Sequence, residues 1–248
     1  MDKIISENEK TWDMVSDHFV DACSLPIWGP FGVGQDLDLI PDIQGKTFLE
    51  VGCGSGRSIK YLIEQGAQKV YGLDISAMQL KEAHNFNKDL VQQGKVQLIK
   101  GRMEDPFNID PVDLVFSIYG IGWTLDPEST FKNICSCLKH GGIFVWSWDH
   151  SFFNNVEYKN GEYSITRSYH DETPFTRKNW KKEGATATVV YRKTSTWFRL
   201  LKNAGFEVVG YHEPQPRNTR HGSGDPHRHY SIEKAKMIPA TCIFVCRK

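Results

Sequence analysis

The chain has 248 residues, with 30 basic against 30 acidic side chains, so its formal net charge is zero and no global field draws it to nucleic acid or an anionic membrane. At this length it makes one large domain or one domain with a substantial insertion, and the absence of a leader-like start or an 18-residue apolar run argues for a soluble cytoplasmic protein. The 6 cysteines lack paired CxxC spacing, which fits neither a secreted disulfide framework nor a zinc site and reads as ordinary reduced thiols.

In chain order, residues 7–22 place Trp12, Val15 and Phe19 near helical spacing, which predicts an amphipathic opening helix. Residues 25–34, LPIWGPFGVG, are rich in breakers and carry Trp28 and Phe31, the mark of an aromatic loop. From Lys46 strand and helix alternate. Strands are predicted over 47–51, 69–74, 96–100, 112–118 and 142–148, and helices over 58–65, 76–90 and 127–139. Gly66 and the pair Gly141 and Gly142 stop two of these helices, and Ser76 is placed to cap another. Such alternation predicts an α/β fold, an open parallel sheet with helices on both faces, whose ligands sit beyond the carboxyl ends of the strands.

After Trp148 the alternation stops. Residues 156–165 alternate polar and apolar around Asn160 and Gly161, a type I′ hairpin signal. A helix over 195–205 and strands over 206–213 and 241–246 close the chain, and the polar connection 214–239 has a length that is usually functional or disordered. A single domain is expected, with an N-terminal helix and aromatic cap (1–44), a core (45–148), an antiparallel insertion or lid (149–193) and a C-terminal helix with a strand pair (194–248).

The stretch FLEVGCGSGRS, residues 48–58, runs from the first predicted strand through three alternating glycines into a helix. Glycines there let the backbone approach a ligand where a Cβ would collide. Asp74 ends the second strand 18 residues after Gly56, where a carboxylate can accept both ribose hydroxyls of an adenosine. An NAD enzyme would offer the same acid, but the dinucleotide fingerprint needs a third glycine where this chain has Arg57. Glu50, just before the glycines, would repel a pyrophosphate and suits a ligand carrying an ammonium and a sulfonium charge. The electrostatics therefore favour S-adenosylmethionine.

With GLDIS (72–76), GRMED (101–105), FSIYGIGW (116–123) and LKHGGIFVWS (138–147), the chain resembles the class I S-adenosylmethionine-dependent methyltransferases, specifically over residues 45–150 and more loosely beyond. The match is closest to their small-molecule, methyltransferase type 11-like branch. The resemblance implies a Rossmann-like sheet, mostly parallel with the last strand antiparallel. It also implies that Gly52, Cys53, Gly54 and Gly56 form the loop under the methionine part of the cofactor, with Glu50 near its ammonium. Asp74 would hold the ribose, with Gln79 nearby and Ile75 against the adenine face. Met103 and Glu104 would meet the adenine edge, although Arg102 stands where the family often has an acid. Ser117 and Tyr119 would border the methionine moiety and the methyl group.

Trp12, Trp28, Phe31 and Trp123 are candidates for a lid over the sulfonium and substrate, where an aromatic face attracts a cation; packing is the alternative. His150, just past the fifth strand, is the first candidate for a general base, and Tyr119 the second. His221, His227 and His229, with Arg217, Arg220 and Arg228 nearby, resemble a metal tract only superficially, and no metal is expected. The expected activity is transfer of a methyl group to a small-molecule O, N or C nucleophile by in-line displacement. A tRNA-modifying methyltransferase using the basic loop 217–236 on phosphate is an alternative, against which the neutral charge counts. A non-catalytic module that binds the adenosyl cofactor is another.

Overall fold

The computed structural model describes residues 1–20, 22–217 and 224–248. The five predicted core strands are present as β1 (Thr47–Val51), β2 (Lys69–Asp74), β3 (Val96–Lys100), β4 (Val112–Ile118) and β5 (Leu138–Asp149). The apolar runs of β1, β2, β4 and β5 are buried on both faces, as parallel strands between helical layers require, while β3 at the sheet edge buries only Val96. Two hairpins follow, β6 (Val156–Lys159) with β7 (Glu162–Ile165) and β8 (Pro174–Lys178) with β9 (Thr186–Val190), and β10 (Glu207–His212) and β11 (Thr241–Arg247) complete the set. Asn160 and Gly161 turn the first hairpin with φ of 53° and 89°, the left-handed pair that the Asn-Gly signal predicts.

Seven strands share one sheet in the order β3-β2-β1-β4-β5-β11-β10, with β11 antiparallel to both of its neighbours. Strand order reverses between β1 and β4, which opens a crevice at their carboxyl ends. The helices are α1 (Asp2–Met14), α2 (Arg57–Glu64), α3 (Ala77–Phe86), α4 (Lys88–Gln92), α5 (Pro127–Cys137), α6 (Thr194–Asn203) and α7 (Ile232–Met237). On one sheet face Phe48 and Phe116 pack against Ile59 and Leu62 of α2, and on the other Trp146 and Phe244 pack with Phe131 of α5 and Trp197 of α6. In the second cluster the Trp146 and Phe244 rings lie parallel, their centroids 4.6 Å apart.

Two predicted helices differ from the expectation. The opening helix starts at Asp2 and ends at Met14, and a single 3-10 turn (Ser16–Phe19) follows it. The helix expected over 76–90 breaks at Asn87, whose side-chain amide donates to the carbonyls of Gly56 and Ala83 at 3.0 and 2.9 Å. That residue leaves helical geometry to tie the glycine turn down. The 214–239 connection contains α7, and its residues 218–223 lie outside the described chain.

Helix α1 is held across the molecule by side chains that act as a neighbouring strand would. Asn8 donates to the Thr188 carbonyl and accepts from the Thr188 N–H, both at 2.8 Å. Thr11 does the same with Thr186, donating at 2.5 Å and accepting at 3.0 Å. The free edge of β9 is thereby satisfied, and α1 and the insertion together roof the carboxyl edge of the sheet. We expect Asn8→Ala, which strips partners from two buried backbone groups, to destabilise the protein by about 2–3 kcal/mol, seen calorimetrically as a melting temperature lower by roughly 4–12 °C.

Candidate active site

Under that roof lies a cavity of about 530 Å³, lined by the glycine turn, the ends of β2, β4 and β5, helix α1 and residues of the second hairpin. The turn adopts left-handed geometry at each of its alternating glycines, with φ of 75°, 51° and 73° at Gly52, Gly54 and Gly56. At Gly52 a Cβ would also stand 3.1 Å from the Gly120 Cα, so the loops after β1 and β4 meet backbone to backbone.

Asp74 braces this turn. One carboxylate oxygen accepts the Gly54 N–H at 2.8 Å and the other the Ser76 N–H at 2.9 Å. Burial raises the Asp74 carboxyl, and these donors offset part of that rise. Glu50 is only 4 % exposed, and its Oε2 has no hydrogen-bond partner. Burial pushes the Glu50 carboxyl well up, the nearby Ser58 hydroxyl opposes this, and the Asp74 charge adds to it. Burial likewise raises the Cys53 thiol.

Gln79 faces the cavity with a buried, unpartnered Oε1, beside Ile75 and Met103. Glu104 also lines it and accepts from the Thr124 hydroxyl at 2.9 Å and the Leu125 N–H at 3.2 Å, tethering the segment after β4.

Tyr119 borders the cavity in the left-handed conformation, with φ of 56°, a strained position for a bulky residue. Its hydroxyl shares a hydrogen bond of 2.6 Å with that of Thr241, and burial raises it well above the phenol range. Such a hydroxyl is a poor base. Trp12, Trp123 and Trp180 form a mutual cluster with ring centroids 5.1 to 5.2 Å apart, and Phe19 stands 5.0 Å from Trp12. These rings face the cavity from α1, the 3-10 turn after it, the loop after β4 and the loop between β8 and β9.

Five predicted residues stand elsewhere. Gly56 faces α3 and the residue after it, where a Cβ would stand 2.8 Å from the Asn87 amide nitrogen and 3.0 Å from the Ala83 Cβ. Ser117 is fully buried and donates to the Val51 carbonyl at 2.6 Å, joining β4 to β1 beneath the floor. Trp28, 2 % exposed, packs edge-on to Phe116, and Phe31, 4 % exposed, packs against Tyr230 and Phe153 in a separate small cluster. Both belong to the core, whereas Trp12 and Trp123 line the cavity. His150 points away because the chain leaves the sheet at Asp149. Its Nε2 lies 2.8 Å from Glu213, and burial lowers its imidazole more than that carboxylate raises it.

In place of His150 the structure brings Asp149, Arg177, Tyr191, His229 and Tyr230 to the cavity, none of which the sequence reading selected for the site. Asp149 alone had a readable signal, as the terminal residue of a strand at the carboxyl edge. His227 and His229 part company: the first sits edge-on to Tyr158 at 5.1 Å, while the second faces Asp149. His221 lies outside the described residues.

Residues 49–146 match the family model of a methyltransferase domain. An uncharacterized protein of Haemophilus influenzae is 24% identical over 192 residues, covering 72% of this chain and 74% of that one. Cycloartenol-C-24-methyltransferase 1 of Oryza sativa is 26% identical over 170 residues, 66% of this chain but 44% of the relative, so the match spans under half of that enzyme. A solved S-adenosylmethionine dependent methyltransferase from Mesorhizobium loti has the same fold, with a TM-score of 0.69 at 21% identity over 85% of this chain and 94% of that one. Residues 49–146 therefore form a methyltransferase domain, and the sheet order around it is the fold of that solved S-adenosylmethionine dependent methyltransferase.

Proposed function

We propose that the protein binds S-adenosylmethionine on the glycine turn and transfers its methyl group to a small-molecule O, N or C nucleophile. The observation that carries this reading is the unpartnered Glu50 Oε2, a buried carboxylate oxygen beside the turn in the same cavity as Asp74. An orphaned buried acceptor is costly and fits a ligand that brings its own cation. The ammonium of the methionine part is such a group. Each Asp74 oxygen has spent one lone pair on the backbone and keeps another for a ribose hydroxyl. Ile75, Met103 and Glu104 flank the adenine, and Gln79 offers Oε1 near the ribose.

When bound, the cofactor supplies a methyl group on a positively charged sulfur. The chain's own task is to align a nucleophile with that methyl and keep water out, and alignment alone can lower the barrier by roughly 7–11 kcal/mol. The tryptophan cluster serves both ends, excluding water and presenting ring faces to a cation. A cavity of about 530 Å³ roofed by α1 and β9 lies in the range that suits small ligands, which favours a small acceptor over RNA or a protein chain.

Titration calorimetry tests the cofactor. We expect S-adenosylmethionine and S-adenosylhomocysteine to bind, NAD not to bind, and Asp74→Ala to weaken the adenosyl ligands by roughly 100-fold or more. Binding of NAD instead, or of no adenosyl ligand, overturns the reading. Glu50 gives a second test. Its folded-state carboxyl is raised, so the folded protein binds the extra proton and unliganded stability falls as pH climbs above the ordinary glutamate range. Glu50→Gln should flatten that decline and raise the melting temperature of unliganded protein near pH 8, while weakening S-adenosylmethionine binding by about 10- to 100-fold.

A further inference from the structure

One end of the cavity is left unused by the cofactor contacts. Asp149, the last residue of β5, is 5 % exposed, and its Oδ1 accepts the Tyr230 O–H at 2.8 Å. Its Oδ2 lies 3.5 Å from the Nε2 of His229, a buried nitrogen that makes no hydrogen bond. All three residues line the cavity that Tyr119 and Trp148 border, and the Tyr119 ring stands 5.5 Å from Trp148 and 6.4 Å from Tyr230. The Asp149 carboxylate is therefore half used, and the imidazole beside it is unspent, next to the residues expected at the methyl end.

Resting on the methyl-transfer reading, we propose that the acceptor is an aromatic hydroxyl compound and that His229 takes its proton, with Asp149 orienting the imidazole. A carboxylate facing Nε2 selects the tautomer with its proton on that nitrogen, which leaves the Nδ1 lone pair to act as base. A spacing of 3.5 Å matches the loose pairing common before ligand binds. Burial would raise the Asp149 carboxyl, but His229, Tyr230 and Arg177 together hold it below the ordinary carboxylate range, so a charged partner is in place. Tyr119, Tyr191, Lys234 and Cys242 also face that carboxylate, and Arg177 donates to the Tyr191 hydroxyl.

The walls select the rest of the molecule. Trp123, Trp148, Tyr119 and Tyr230 offer ring faces and edges to a flat aromatic body. A carboxylate acceptor would meet Asp149 as a like charge. In the proton transfer the phenol O–H bond breaks, its electron pair stays on oxygen, and the proton ends on Nδ1 as an imidazolium stabilised by Asp149. The phenolate so formed is the stronger nucleophile.

The probe is 4-nitrophenol, which is yellow only as phenolate, added to protein saturated with S-adenosylhomocysteine. Wild type should hold it as phenolate at a pH where the free compound is still largely colourless. His229→Gln should keep its affinity for S-adenosylhomocysteine and its melting temperature, yet bind the probe colourless. Asp149→Asn should move the colour midpoint up by about one pH unit, since the imidazolium loses its partner. Methyl transfer from S-adenosylmethionine to the same phenol should fall about 10²- to 10⁴-fold in His229→Gln.

A phenolate band that survives in His229→Gln overturns the assignment, as does one lost only in Asp149→Asn, which would make the carboxylate the proton acceptor. Failure of wild type to bind the phenol overturns it too. Failure of wild type to bind S-adenosylhomocysteine is a different result, and removes the methyl-transfer reading beneath it.

Discussion

Two carboxylates, Glu50 and Asp74, are kept inside the protein at the edge of a sheet, where burial works against the charged form of each. Much of the surrounding architecture follows from that cost. Asp74 is made tolerable by the N–H groups of Gly54 and Ser76, and the first can point back at it only because the chain turns left-handed through the glycines. That turn fits only because Gly52 passes close to Gly120, which binds the end of β1 to the end of β4. Asn87 completes the arrangement by breaking a helix to hold the Gly56 carbonyl. Glu50 receives less support, and its Oε2 is left without a partner.

The roof obeys a second constraint. An unpaired strand edge such as that of β9 invites association with another chain. Here Asn8 and Thr11 supply donors and acceptors in register with it, so a helix replaces a strand without exposing backbone. The same contact brings Trp12 from α1 against Trp180 beside β9, and the water-excluding cluster arises from it. Asp13, one residue further along, accepts from the Ser76 hydroxyl at 2.6 Å and the Met78 N–H at 3.1 Å, so the roof also rests on the start of α3 beside Asp74.

What could be read from the sequence was whatever local backbone chemistry dictates. Most of the parallel strands show as continuous apolar runs, the glycine turn and the Asn160 hairpin show because few other residues adopt those geometries, and Asp74 shows by its place at the end of β2. Which side of a loop an aromatic ring turns to is not local information, so Trp28 and Phe31 look like Trp12 and Trp123 in sequence yet pack into the core. His150 and Asp149 differ by one position, and the point where β5 ends decides which reaches the cavity. Trp180, His229 and Tyr230 come from the insertion and the C-terminal connection. Their meeting with residues 50–123 is purely tertiary, and no spacing in the chain announces it.

The seam between α1 and β9 joins residues separated by 180 positions. In chain order α1 precedes the strands β1 to β5, and its seam partners Thr186 and Thr188 follow them. The strands from β1 to β5 are by then complete, with the glycine turn and both buried carboxylates in place. Closing so long a loop late in synthesis sets an order of assembly in which the cavity floor precedes its cover.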